Sequence, residues 1–349
     1  MTRYYRPSGF AIHYYLVAFV LIIVTSTILT GCTNLPLQQM TSQTPSSITP
    51  TIDLTTQSAN LDRLEKIPDS AVKMTPGADP LPPILHSDEY QPPVPMPGLV
   101  NTAGAEDSPF ITPDGKTLYF FFTPDLSVAP EKQLLDKVTG IYITQLQRTI
   151  WSQADRVVLQ SSGKLALDGC PFVLNTSLWF CSAREGFDGV KLFTAQYMDG
   201  KWRNWQSADN LNKTDYQIGE IHITADGKTL YFHSARSGGQ GQFDIWVTKF
   251  INGVWQEPVN VAPVNSPESE GWPFVSQDGN ELWFTRTYLG SPAIFRSLWT
   301  GDTWSTPMLV ISQFAGEPTL DNQRNLYFVH HFIKEGKIIE ADLYVAYRR

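Results

Sequence analysis

Five stretches of this chain carry one pattern: "EDSPFITPDGKTLYF" (106–120), "DGCPFVLNTSLWF" (168–180), "GEIHITADGKTLYF" (219–232), "EGWPFVSQDGNELWF" (270–284) and "GEPTLDNQRNLYF" (316–328). Their Leu-aromatic-Phe triplets start at Leu118, Leu178, Leu230, Leu282 and Leu326, at intervals of 60, 52, 52 and 44 residues. Self-similarity at this period, with strand-like content, excludes a helical solenoid and points to repeated sheets around an axis.

The other elements recur in fixed order. A third β-rich run follows each triplet: "GIYITQL" (140–146), "VKLFTAQY" (190–197), "DIWVTKF" (244–250), "AIFRSLW" (293–299) and "DLYVAYR" (342–348). A short turn and a Trp follow four of them, giving Trp151, Trp202, Trp255 and Trp304, and each Trp opens a fourth run such as "WQEPVNVAPVN" (255–265). Each unit therefore reads as a four-stranded antiparallel meander. The Trp set holds one repeat position and is assigned to packing. The fifth unit stops after its third strand, while "MPGLVNTAG" (96–104) resembles a fourth run that has no unit of its own. The expected fold is all-β: a five-bladed β-propeller over residues 94–349, its ring closed by pairing of N- and C-terminal strands, which removes free edges.

These residues resemble the TolB-like (WD40-like) propeller repeat of bacterial envelope proteins: an acidic residue, Pro, a branched residue, Pro-Asp-Gly, Leu-aromatic-Phe, then "DIW" on the third strand. "SAREG" (182–186) and "SARSG" (234–238) match that family's loop after the second strand, whereas "TPDLS", "RTYLG" and "HHFIK" depart from it. Unit two also lacks the Asp-Gly turn, and unit five has a shortened first strand. The resemblance covers about 95–349 and implies the fold. It says little of activity, since such repeats occur in scaffolds, peptidases and carbohydrate enzymes alike.

The first 31 residues read as a targeting signal. Arg3 and Arg6 precede an apolar run strongest over Leu16–Val24, and Leu29-Thr30-Gly31-Cys32 follows. This is the secretory pattern, and "LTGC" resembles the bacterial lipobox. That resemblance implies acylation of Cys32 and a lipid-anchored envelope protein; Thr33, in place of Asp, favours the outer membrane facing the periplasm. Residues 33–60 hold 18 Ser, Thr, Pro or Gln among 28. With "PLPPIL" and "QPPVPMP" after them, residues 32–93 are expected to form a disordered tether. The formal charge of −8 argues against nucleic acid, and no cofactor is expected.

In such a meander the tight first-to-second turns share one end with the third-to-fourth turns. The long, irregular loops, such as 123–140 and 235–243, share the other, and function is expected there. Glu106, Asp168, Glu220, Glu270 and Glu317 open the innermost strands at that end. A carboxylate ring could receive a basic ligand, or could do repeat work by pairing with Arg184 and Arg236. Trp272 precedes Pro273 near the mouth, where no other unit has an aromatic residue, and is a candidate for ligand stacking. Cys170 and Cys181 flank a two-residue turn whose register opposes them; a disulfide and two reduced thiols both remain open. The same register sets Glu220 opposite His233, which would suit a base, a metal half-site or a plain polar pair. His330 and His331 are adjacent on a strand and point to opposite faces, which disfavours joint chelation. No catalytic motif or metal set is found. The expected function is a binding scaffold for an envelope protein or glycan; the alternative is a carbohydrate-active enzyme using Asp168, Glu220 or Glu270.

Overall fold

The structure, a computed structural model, describes residues 62–212 and 218–349. The signal segment, Cys32 and the Ser/Thr-rich part of the expected tether lie outside the described residues. Among the described residues no helix is long and apolar enough to cross a membrane.

The fold is all-β and almost wholly antiparallel. Unit one comprises Ala105–Ile111, Thr117–Thr123 and Gly140–Gln147, edged by Ile150–Trp151 and Asp155–Arg156. Unit two comprises Ala166–Leu174, Ser177–Arg184, Val190–Met198 and Lys201–Ser207. Unit three comprises Ile221–Ile223, Thr229–Ser234 and Asp244–Ile251, edged by Val254–Trp255 and Val259–Asn260. Unit four comprises Glu270–Val275, Glu281–Tyr288, Ser291–Leu298 and Met308–Ser312, and unit five Ala315–Leu320, Leu326–Lys334 and Lys337–Ala346. Units five and one are joined by a parallel bridge, Ala341 to Ala105. The first strands of successive units pack side by side, and that of unit five also packs on that of unit one.

The triplets run apolar without alternation because both faces of each second strand are covered. The five leading Leu residues and the five closing Phe residues are each 0% exposed. Each such side chain contributes about 1.5–3 kcal/mol by leaving water. The Trp repeat seals neighbouring units. Trp202 meets Tyr119 of unit one edge-on at 6.3 Å, and Trp304 meets Tyr231 of unit three at 6.2 Å. Trp151 shares an apolar cluster with Tyr327 of unit five. At the turns, Gly115, Gly227 and Gly279 adopt φ of 69–74°, the left-handed region a side chain resists. In each turn an Asp three residues before the second strand accepts from a hydroxyl and a backbone N–H.

Residues 62–93 do not behave as a tether. They form a strap against units one, five and four, fastened by ionic groups that a composition count reads as solubilising. Arg63 is 5% exposed and donates to Glu106 at 3.1 Å. Lys73 bridges Glu340 and Asp342. Asp79 meets His330 at 2.8 Å, and Glu89 binds Arg296 and Arg348. Between the last two of these anchors Ile84–Leu85 adds an edge strand to unit four, and just after the strap Val94–Pro95 pairs with Tyr344 and Val345 of unit five. Pro is tolerated there because an edge strand leaves one row of N–H groups unused.

The ribbon beside the last strand is thus Val94–Pro95 rather than 96–104, but that segment stays in contact with it. Met96 N–H donates to the Leu343 carbonyl at 2.8 Å. The Asn101 amide takes both the N–H and the carbonyl of Leu343, at 3.0 and 2.9 Å. Asn212 and Asn265 grip Leu192 and Ile245 in the same way. The likeness of 96–104 to a fourth run therefore rests on an amide that imitates a strand partner.

Candidate functional site

The inner strands place their polar residues in two layers. Four of the five carry a register shift: between Asp107 and Phe110, Gly169 and Phe172, Gly271 and Phe274, and Gly316 and Thr319. At each, the residue before Pro is non-glycine at positive φ: Ser108 47°, Cys170 54°, Trp272 51° and Glu317 58°. Such backbone costs about 1–3 kcal/mol per residue and persists only where its surroundings enforce it. Unit three has Ile221 in place of Pro and no shift, and Glu220 fills the equivalent place after Gly219.

The five acidic residues therefore do not form one ring. Glu106, Asp168 and Glu270 stand two residues before the bulge. Glu220 and Glu317 stand at it, with Ser108, Cys170 and Trp272.

Each member of the first layer has an arginine. Asp168, 2% exposed, accepts from Arg184 Nη2 and Ser182 Oγ, both at 2.6 Å. Glu270 is fully buried and accepts from Arg286 Nε at 2.7 Å and from Ser266. Glu106 is fully buried too, and its arginine comes from the strap: Arg63, with Thr102 as a second donor. Burial pulls Glu106 and Glu270 above the usual carboxylate range, and Arg63 and Arg286 oppose it. All three guanidiniums lie over rings. Arg184 sits over Phe180 and Phe193, Arg286 over Phe284 and Phe295, and Arg63 over Phe120 and Tyr142. Unit three offers Ile218 where these acids stand, so Arg236 turns outward to Glu257 and stacks on Trp246.

The bulge layer is different. Ser108, Cys170, Glu220 and Trp272 are half-buried, while Glu317 is 5% exposed. Ser108 Oγ donates to Glu220 Oε1 at 2.7 Å. Among the described residues no lysine or arginine lies within ion-pair distance of Glu220 or Glu317, and Glu317 Oε2 is buried with no partner. Burial, with Asp107 nearby, pushes Glu220 up to about 7. Burial, then Asp107 and Glu220, raises Glu317 well above its ordinary value. Asp107 goes the other way: burial opposes its ionisation, but His331 and the Ser108 N–H outweigh it. One electrostatic unit thus holds carboxyls driven in opposite directions.

The one-residue shift sets Gly169, not Cys170, opposite Cys181, and both thiols are free. They remain in contact, and the hydrogen bond to Cys181 followed by burial raises the Cys170 thiol. Glu220 takes Ser108 as its partner rather than His233. His233 Nδ1 accepts the Trp272 N–H at 3.2 Å, and its ring lies under the Trp272 indole at 4.9 Å. A Cβ on Gly219 would come within 1.9 Å of that ring, which explains the glycine. His330 holds Asp79, and His331 lies 3.8 Å from Asp107 on the other face. Among the described residues no group of three His, Cys, Asp or Glu is disposed to hold a metal ion.

Sequence reasoning missed Arg63, Asp107 and the split between the layers. The signal for the split was present: counting back from the Pro of each unit, rather than from the first acid, sets Glu317 in register with Ser108, Cys170 and Trp272.

No protein-family model matches the chain, and no curated protein sequence matches it. Solved structures show distant similarity to TolB and to propeller enzymes. TolB from Acinetobacter baumannii aligns with TM-score 0.42 and 15% identity, over 72% of this chain and 56% of that one. An endo-arabinase from Bacteroides thetaiotaomicron VPI-5482 aligns with TM-score 0.47 and 12% identity, over 72% and 96% of the two chains. A gluconolactonase from Xanthomonas campestris aligns with TM-score 0.42 and 13% identity, over 77% and 98%. This chain therefore spans little more than half of the first of these.

Proposed function

We propose that the five units are blades of one closed propeller, carried on a membrane by acylated Cys32. Its axial mouth on the long-loop side binds the cationic side chain of an envelope protein partner. The observation that carries this reading is the contrast between the two layers. Three carboxylates are neutralised internally. Glu220 and Glu317 face the axis without a cation, and Trp272 stands beside them. An inserted ammonium or guanidinium would ionise both carboxyls and rest against the indole, a contact worth about 0.5–2 kcal/mol. Arg184 and Arg236 belong to the scaffold in this reading.

A second reading has one observation in its favour. Carboxyls driven in opposite directions, Glu220 up and Asp107 down, are the pattern of an acid–base pair. For the carbohydrate-active alternative, Asp168 and Glu270 are poor candidates because Arg184 and Arg286 occupy them; Glu220 with Asp107 would have to serve.

Calorimetric titration with a tri-lysine peptide tests the binding role, with tri-glutamate as control. Binding a cation favours the ionised carboxyl, so affinity should rise about tenfold between pH 6 and 8, with proton release below pH 7. The Glu220→Gln, Glu317→Gln double variant should lose at least tenfold at pH 8; an unchanged affinity would overturn the assignment. Labelled palmitate should enter the wild-type chain and not Cys32→Ser.

A further inference from the structure

The opposite end of the axis holds a cavity of about 450 Å³, within the range of small-molecule sites, about 300–1,000 Å³. Its inner wall is a row of rings from four consecutive units: Phe110, Phe172, His222 and Phe274. Neighbouring ring centroids lie 5.2, 4.7 and 4.4 Å apart, so the row forms a continuous aromatic floor. His222 Nδ1 accepts the Val275 N–H at 3.2 Å. Burial drives this imidazole down to about 3, so it stays neutral with its proton on Nε2. One N–H donor therefore stands among apolar rings.

The mouth is built from the tight first-to-second turns. Asp114, Asp278 and Asp321 line it but are occupied by their own turns, and Arg324 by Asp278 and Glu281. Asn175, Gln277 and Asn322 line it as well, and their side-chain amides make no hydrogen bond to the described protein. An amide both donates and accepts, as a hydroxyl does. An apolar floor with a single donor, beneath a rim of uncommitted amides, suits a ligand that is apolar on one face and hydroxylated at its edge.

We infer that this cavity is a second ligand site, separate from the cationic mouth, which takes a neutral saccharide of one or two rings. The sugar's C–H face lies on Phe172 and Phe274, one of its oxygens accepts from His222 Nε2, and its outer hydroxyls meet Asn175, Gln277 and Asn322.

Saturation-transfer NMR on the full chain tests this, using glucose, N-acetylglucosamine, maltose and N,N′-diacetylchitobiose as probes. At least one should receive saturation, concentrated on its ring C–H protons. The exposed-rim double variant Asn175→Gly, Gln277→Ala, in which Gly keeps the positive φ of position 175, should fold normally and reduce that signal at least fivefold. His222→Phe, which keeps a ring but removes the donor, should reduce it similarly. The double variant of Glu220 and Glu317 to Gln should leave it intact, which separates this site from the mouth. Absence of transfer to all four sugars, or transfer undiminished in the rim variant, would overturn the assignment.

Discussion

Asp168 and Glu220 stand one layer apart at the first strands of units two and three, yet the two are buried in different company. Asp168 is closed off from water and has Arg184 at 2.6 Å, itself stacked over Phe193 and Trp205. Glu220 has a serine hydroxyl and a neighbouring acid. The first arrangement resolves the cost of burying a charge by bringing the opposite charge along. The second leaves the cost in place as a carboxyl poised near neutrality. A carboxylate paired with its own arginine is committed to the fold; one without a cation is available to a ligand.

The largest expected effect breaks the committed pair. Arg184→Ala leaves Asp168 buried without its counter-charge and strips a guanidinium from three rings. Urea unfolding at pH 7.5 should show a loss of about 3–5 kcal/mol. If the loss were below about 1 kcal/mol, the first layer would not be structural and the contrast would collapse.

A smaller effect of opposite sign is expected in the second layer. Burial raises Glu220 from 4.5 to about 7, so between these values the folded chain holds the proton more tightly than the unfolded one. The stability this confers is complete below pH 4.5 and lost as pH rises through 7. Glu220→Gln should therefore stabilise the protein by about 1–3 kcal/mol at pH 8 and leave it unchanged at pH 4. Denaturation of both proteins across that range checks it; equal stability at pH 8 would mean that Glu220 already has a cation.

These contrasts also mark what could be read in the chain and what could not. The five triplets, the third strands and the Trp seals are repeat features, and repetition makes a buried position visible without any partner being known. The strap was illegible for the complementary reason. Arg63, Lys73, Asp79 and Glu89 belong to no repeat, and each acquires meaning only from a carboxylate, imidazole or guanidinium far away in sequence, such as Glu106 or Arg296. The acidic ring was half legible. Glu317 was visible as an acid at a strand start, but the bulge before Pro318 moves it one layer down. A one-residue register shift reverses which side of the strand a residue serves. The same shift separates Cys170 from direct opposition to Cys181.

The finest test concerns Ser108, which joins unit one to Glu220 of unit three. Its hydroxyl donates to Oε1, a bond that favours the ionised carboxylate and so works against burial. In Ser108→Ala that support is lost, and the Glu220 titration should move further up by less than about one unit, worth at most about 1.4 kcal/mol. The consequence for binding has a definite sign. At pH 7 more of the carboxyl is protonated, so tri-lysine affinity should fall a few-fold, while at pH 9 it should approach the wild-type value. A loss equal at both pH values would make Ser108 a direct contact of the ligand. Recovery at high pH would make it the group that sets how readily the uncommitted carboxyl accepts a cation.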